Sequence, residues 1–259
     1  MVAPAATDAR HVLLERLVDH AALFPPASMS VERALAEDRR LRYGPDAWLV
    51  GRFVVPATRV EELGDVPLRL TVVLDGPLPE DPRIESVESR PGADPDELAG
   101  LAPEVYVEVA LEDAAPSRAS NSLLLSSLDR LAALRVRAKF RCGGASVPSA
   151  EALGAAIRGC RERGLVFKAT AGLHHALPTD GEHGFLNLLA AAVFGDEEAA
   201  LREADRDAFR LTPDGFAWRG RTAAAEEVAR VRRELFASFG SCSVAEPVED
   251  LKALGMLPV

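Results

Sequence analysis

Residues 135–170 decide the fold class, and they read RVRAKFRCGGASVPSAEALGAAIRGCRERGLVFKAT. Apolar and polar side chains alternate over 136–141, and a second short apolar run covers 166–170, so the pattern predicts two β-strands. Residues 149–163 between them have apolar positions at helical spacing. One strand and its helix take about 30 residues, as a parallel βαβ unit requires.

Similar short runs occupy the sequence before this unit. Together the predicted strands cover 48–56, 68–74, 84–89, 105–111, 136–141 and 166–170. The last three are separated by two helical stretches, 121–134 and 149–163. A closed barrel of alternating strands and helices needs roughly 250 residues, and this chain has 259. We therefore predict a single α/β domain over 1–259 with the fold of a TIM-like (β/α) barrel.

Two regions depart from a regular barrel. Residues 75–82 are too few for a helical crossover, so we expect the second and third units to be irregular or incomplete, or this corner to be antiparallel. Helical spacing over 6–22 and 31–42 predicts an N-terminal helical extension within 1–45, with the barrel over 46–259.

The C-terminal part is predicted to hold helices and one hairpin. The predicted helices cover 183–194, 196–205, 223–236 and 247–254, and the hairpin turn lies at 212–215.

Composition restricts the function. Forty acidic residues against thirty basic ones give a formal charge of −10, which disfavours binding to nucleic acid or an anionic membrane and favours a small-molecule partner. The three cysteines match no metal or redox spacing and indicate free thiols in a reducing compartment. No secretory signal or membrane-spanning run is present, so we expect a cytoplasmic protein.

Strand parity brings several cations to one face. In the strand 136–141, Arg137, Lys139 and Arg141 alternate with apolar residues, and in the strand 166–170 Lys168 and Thr170 share one parity. These side chains are predicted to point toward the barrel axis. The carboxyl ends of barrel strands are where barrel enzymes assemble their active sites.

Two adjacent lysines suggest covalent chemistry. Repulsion between Lys139 and Lys168, together with burial, would lower the pKa of one amine, which would then attack a carbonyl and form a Schiff base. We assign that role to Lys168, with Lys139 tuning its pKa and Glu108 moving protons. The structural alternative is that a lysine only forms an interior ion pair, with Glu108 as the nearest candidate.

The second lysine strand also resembles a known family. Phe167-Lys-Ala-Thr-Ala-Gly172 is similar to the lysine-bearing strand of deoxyribose-phosphate aldolase, a class I aldolase whose pattern is Lys-Thr-Ser-Thr-Gly. The resemblance covers about six residues and implies that Lys168 is the Schiff-base residue with a second lysine nearby. In the family that second lysine follows in sequence, whereas Lys139 precedes.

Polar residues elsewhere are candidates for holding the substrate. Arg52 and Arg141 suit an anionic group, with Thr170 beside them. Asn187 begins the helix after the lysine strand. Ser241 lies in a loop before the last helix, where backbone amides would hold an anion.

Three histidines follow the lysine strand. We expect His174 or His175 to act as an acid or base, with His183 on the substrate, because imidazole titrates near neutral pH. The spacing of the three matches no known metal motif, so no metal and no cofactor is expected.

The sequence therefore predicts a lyase or aldolase that acts on a small anionic carbonyl compound. The rival interpretations are a metal- or acid–base-dependent isomerase or hydrolase that uses the histidines, and a non-catalytic protein that binds a small anionic metabolite. Cys142, which follows the strand 136–141, is a weaker candidate nucleophile. The oligomeric state stays open, with a homo-oligomer among the options.

Overall fold

The computed structural model describes residues 8–112, 115–144, 147–179 and 181–258. In chain order the strands are β1 (Val18–His20), β2 (Val50–Pro56), β3 (Leu70–Val73), β4 (Ile84–Glu88), β5 (Glu104–Glu108), β6 (Arg137–Arg141), β7 (Phe167–Thr170), β8 (Phe209–Thr212), β9 (Gly215–Trp218), β10 (Arg221–Ala224) and β11 (Phe236–Ser241). The helices are α1 (Ala9–Leu14), α2 (Val31–Arg42), α3 (Pro95–Leu98), α4 (Arg118–Leu134), α5 (Ala150–Arg163), α6 (Phe185–Phe194), α7 (Glu197–Leu201), α8 (Ala225–Glu234) and α9 (Ala245–Ala253).

Eight of these strands close into a barrel. Their order is β1-β11-β7-β6-β5-β4-β3-β2, and each neighbouring pair is parallel. The predicted TIM-like barrel is therefore confirmed. Within the described residues, no helix is both long and apolar enough to cross a bilayer.

The irregular units are confirmed as well. A short 3₁₀ segment, Ala57–Leu63, connects β2 to β3, and no helix connects β3 to β4. The connection between β4 and β5, residues 89–103, holds only the four-residue helix α3. This corner is nevertheless parallel, because β3 and β4 pair in the same direction as the rest of the barrel.

The first and last barrel strands were missed by the sequence analysis. The predicted helix 6–22 ends at Leu14 in its described part, and Val18–His20 is a barrel strand, so the boundary at residue 46 is wrong. The segment Phe236–Ser241 was assigned to a helix end and a loop, but it is β11. Both strands carry polar residues that face the barrel interior. Neither therefore has the short apolar run by which a buried strand is recognised in a sequence.

The remaining C-terminal predictions hold in outline. The hairpin at 212–215 joins β8 to β9, and β10 extends this antiparallel sheet. Helix α8 is shorter than predicted because β10 takes its first residues. The acidic helix ends early, at Leu201.

Strand parity divides the barrel into a polar interior and an apolar exterior. Phe140 and Phe167 are fully buried on the outer side, with ring centroids 5.5 Å apart, in the layer beneath the helices. Lys139 and Lys168 pair in register on the inner side. The predicted faces of both strands are therefore correct.

The loops after β6 and β7 approach each other closely at two glycines. A Cβ atom on Gly143 would lie 2.8 Å from the Cα and from the amide nitrogen of Gly172. Real Cβ contacts are longer than this, so a side chain at Gly143 would force the two backbones apart.

We expect Gly143→Ala to lower the free energy of unfolding by about 1–3 kcal/mol, as overpacking does. Urea denaturation measures the change. The matched control is Gly240→Ala, whose Cβ would meet nothing nearer than Thr170 Cγ2 at 3.7 Å and which should lose no stability. Equal stability of the two variants would contradict the close approach of these loops.

Candidate active site

A cavity of about 600 Å³ opens at the carboxyl ends of the barrel strands. Its size suits a small-molecule ligand. The polar side chains that line it are Glu88, Lys139, Arg141, Thr170, His174 and Glu182. An apolar wall is formed by Phe24, Pro25, Pro26, Val54 and Val73.

Below the cavity, five buried side chains of alternating charge form a chain across the barrel, here called the ion ladder. Asp19 Oδ2 lies 2.6 Å from Lys168 Nζ, which lies 2.7 Å from Glu88 Oε1. Glu88 Oε2 lies 3.5 Å from Lys139 Nζ, which lies 2.8 Å from Glu108 Oε2. The ladder places two ammonium groups between three carboxylates. It thereby compensates charges that would otherwise be unfavourable to bury.

Backbone and hydroxyl groups complete the ladder at both ends. Lys139 Nζ also donates to the Ser89 carbonyl at 2.6 Å. Asp19 accepts hydrogen bonds from the Ser238 hydroxyl at 2.8 Å and from the Arg52 amide at 2.7 Å. The strand β1, which carries Asp19, is thereby tied to its neighbours β2 and β11.

The charges of the ladder reinforce one another. Burial alone would lower the pKa of Lys168, but the Asp19 and Glu88 carboxylates outweigh it and raise that pKa above its ordinary value. Burial would raise the pKa of each of these carboxyl groups, and Lys168 instead holds both below their usual range. The predicted lowering of the Lys168 pKa is therefore wrong, because carboxylates rather than Lys139 dominate its surroundings.

The two lysines differ in access to the cavity. Lys139 lines it, whereas Lys168 is completely buried, with its Nζ 5.4 Å from the centroid of the Tyr106 ring. Glu108 is the closest carboxylate to the Lys139 amine. The interior ion pair between these two residues, which the sequence analysis left open as an alternative, therefore forms. Of the two lysines, Lys139 is the one that a ligand in the cavity can touch.

Arg141 and Thr170 line the cavity as the sequence predicts. They end β6 and β7 and pair in register. Among the described residues, Thr170 Oγ1 makes no hydrogen bond although it is buried. A cation and a free hydroxyl at the ends of neighbouring strands can therefore bind an anionic group together.

Arg52 does not belong to this site. It lies at the opposite, amino end of the barrel, where its guanidinium is 2.9 Å from both Glu85 and Glu104. Two further arginines pair with the same carboxylates: the Arg137 guanidinium lies 2.9 Å from Glu104, and the Arg69 guanidinium lies 2.7 Å from Glu85. The alternation of side chains along a strand shows which face each one lies on. It does not show at which end of the barrel a side chain lies, and this is why Arg52 was assigned to the wrong end.

The three histidines have three different surroundings. His174 lines the cavity and its Nδ1 lies 2.9 Å from Glu246 Oε2. His175 is exposed beside Asp250, and His183 is buried, with Nε2 donating to the Pro148 carbonyl at 2.7 Å. Burial lowers the pKa of His183. The predicted roles of His175 and His183 in this cavity are not supported by their positions.

These histidines share no common target. In the described part of the chain, no group of three or more histidine, cysteine or acidic residues is arranged to hold a metal ion. A site built from His174, His175 and His183 together is excluded by their separate partners.

Two further candidates have structural roles. The Asn187 amide donates to the carbonyls of Ala200 and Glu203 and so connects α6 to the segment that follows it. Ser241 is buried, and its hydroxyl accepts the Ser243 amide at 3.3 Å. Neither residue lines the cavity, so their positions do not support the predicted substrate contacts.

Cys142 is also no nucleophile candidate in this structure. It is fully buried, and burial raises the pKa of its thiol to about 12. At neutral pH such a thiol is protonated and unreactive.

Four residues of the ion ladder, its contacts or the cavity lining were not among the predicted site residues: Asp19, Glu88, Ser238 and Cys242. Asp19 and Ser238 lie on the two strands that were missed. Glu88 lies at the end of a strand that was predicted, and the inward parity of this strand would have identified it. Cys242 was recognised only as a free thiol.

Comparison of the chain with models of known protein families and with curated protein sequences finds no match. The local resemblance to the aldolase lysine strand therefore gains no support beyond its six residues.

We expect Lys168→Met to destabilise the fold by about 3–5 kcal/mol, because it leaves Asp19 and Glu88 buried without their shared cation. In the parent protein, the lowered pKa of both carboxyl groups contributes stability that is present above about pH 4 and lost in acid. In the variant, burial raises both pKa values, so stability falls as the pH rises. Urea denaturation should show a larger deficit at pH 7.5 than at pH 5.

The matched control is Lys252→Met, which removes a surface ion pair with Asp46 at 2.7 Å. Its loss of unfolding free energy should stay below about 1 kcal/mol at both pH 5 and pH 7.5. A Lys168→Met variant that resembles this control would contradict the role of the ion ladder.

Proposed function

We propose that the protein is a lyase or aldolase-type enzyme that forms a Schiff base between Lys139 and the carbonyl group of a small anionic compound. One observation carries the proposal. Lys139 lies at the floor of a ligand-sized cavity, with Glu108 Oε2 at 2.8 Å and Glu88 Oε2 at 3.5 Å from its amine. The nucleophile is thus reassigned from Lys168, which a ligand cannot reach.

Two carboxylates beside Lys139 favour the product of this reaction. A protonated amine and a carbonyl compound together give a protonated imine and water, so the positive charge on the nitrogen is kept. Glu88 and Glu108 stabilise that cationic nitrogen as they stabilise the ammonium. The protonated imine withdraws electrons from the neighbouring carbon, which is what cleavage or formation of a carbon–carbon bond requires.

The other residues supply proton transfer and binding. Glu108, as the closest carboxylate, takes the proton that Lys139 must release before it attacks, and returns it when water leaves. Glu88 lines the cavity, so it is the carboxylate of the ladder that can act as a base toward a bound substrate. Its pKa is lowered mainly by Lys168 and Lys139 against the opposing effect of burial, so it is ionised at neutral pH.

Arg141 and Thr170 hold the anionic group of the substrate at the ends of β6 and β7. The apolar wall around Phe24 and Val54 contacts the remaining carbon skeleton. Lys168 contributes without touching substrate, because it neutralises Glu88 from below.

Reductive trapping tests the proposal, with pyruvate and glyoxylate as probe carbonyl acids and borohydride as reductant. The chain has three lysines, 139, 168 and 252, so peptide mass spectrometry assigns the adduct directly. We expect modification at Lys139, none at Lys168, and loss of the adduct in Lys139→Arg but not in the control Lys252→Arg. Arg141→Gln should slow trapping by about tenfold or more, since a hydrogen bond to a charged group is lost.

Absence of an adduct at Lys139 with both acids, in a protein that is folded by circular dichroism, would contradict the Schiff-base proposal. If Arg141→Gln nevertheless weakened binding of the same acids, the rival function of a metabolite-binding protein would replace it.

A further inference from the structure

A second group of reactive side chains lies on the wall of the cavity, away from the ion ladder. Cys242 follows the end of β11, and its Sγ lies 3.9 Å from His174 Nε2 and 4.0 Å from His174 Nδ1. His174 Nδ1 is 2.9 Å from Glu246 Oε2 on α9. A thiol, an imidazole and a carboxylate thus follow one another, as in cysteine-based nucleophilic sites.

Two openings at the protein surface give access to Cys242 and His174. Cys242 and His174 both line the cavity, and both also line a second groove that adjoins it beside Glu37 and Thr179. The thiol therefore borders two openings although only 8% of its residue surface is exposed. Cys142 and Cys160, in contrast, are fully buried and line neither opening.

The charges around His174 favour its protonated form. The hydrogen bond with Cys242 is the largest cause that raises the pKa of His174 to about 9, burial opposes it, and Glu246 adds to the rise. Burial raises the pKa of the Cys142 thiol to about 12 and also raises that of the Cys160 thiol. An imidazolium beside a thiol stabilises the thiolate, which is the reactive form.

We propose that Cys242, His174 and Glu246 form a second nucleophilic centre, which reacts covalently with small anionic electrophiles that enter the cavity. In this reaction the Cys242 thiolate forms a bond to an electrophilic carbon, and the leaving group departs with the electron pair of its bond. His174 keeps its proton and holds the thiolate, and Glu246 fixes the imidazole ring. Arg141 in the same cavity attracts the negative charge of the electrophile.

Alkylation with iodoacetate, followed by peptide mass spectrometry, tests this inference. The expected product is a carboxymethyl group on Cys242 with release of iodide, whereas Cys142 and Cys160 stay unmodified in the folded protein. The ratio of the iodoacetate rate to the iodoacetamide rate should be higher for Cys242 than for free cysteine, because Arg141 attracts the carboxylate of iodoacetate.

Two neighbouring histidines give a matched pair of variants. His174→Gln should slow alkylation of Cys242 by about tenfold or more, since the thiolate loses its cation. His175→Gln should leave the rate unchanged, because His175 is paired with Asp250 and lines only the second groove, whereas the histidine beside the Cys242 sulfur is His174. Equal rates in the parent and both variants, or equal labelling of all three cysteines, would overturn the inference.

The outcome is separate from that of the Schiff-base proposal. Alkylation is measured at Cys242 with no carbonyl compound and no reductant present, whereas the Schiff base is measured at Lys139 after borohydride treatment, so either result can fail without the other.

Discussion

The pairing of Glu88 with two lysines is the interaction on which the rest of the barrel interior depends. Glu88 lies 2.7 Å from Lys168 and 3.5 Å from Lys139, so it connects both cations. An ammonium group in a barrel core is tolerable only with such partners, because the loss of hydration would otherwise exceed the gain from packing. Asp19 and Glu108 extend the same compensation to the two ends of the ladder.

This arrangement divides the barrel into three levels. The amino end is closed by Arg52 with its acidic partners, the ladder fills the middle, and the cavity opens above it. The ladder leaves Lys139 in contact with the cavity and Lys168 beneath it. The proposed chemistry follows from this difference in depth, since both lysines have carboxylate partners but only Lys139 can meet a substrate.

Much of this was predictable from the sequence, for reasons that also explain the errors. Alternation on β6 and β7 correctly gave the barrel and the inward lysines. It failed on β1, where Asp19 faces inward and His20 is buried, because a three-residue strand with two polar side chains resembles no strand pattern. Without Asp19 and Glu88, two neighbouring lysines implied repulsion and a lowered pKa. The carboxylates that reverse this come from β1 and β4, far from the lysines in sequence.

The most direct measurement of the central claim is a double-mutant cycle on Glu88→Gln and Lys168→Met, followed by urea denaturation at neutral pH. The account predicts that the double variant is more stable than the sum of the single losses implies, with a coupling energy of about 1 kcal/mol or more. The reason is that the second substitution removes a charge that the first left unpaired. Additive losses, within about 0.5 kcal/mol, would show that the two groups act independently and would contradict the ion ladder as the organising feature of the barrel.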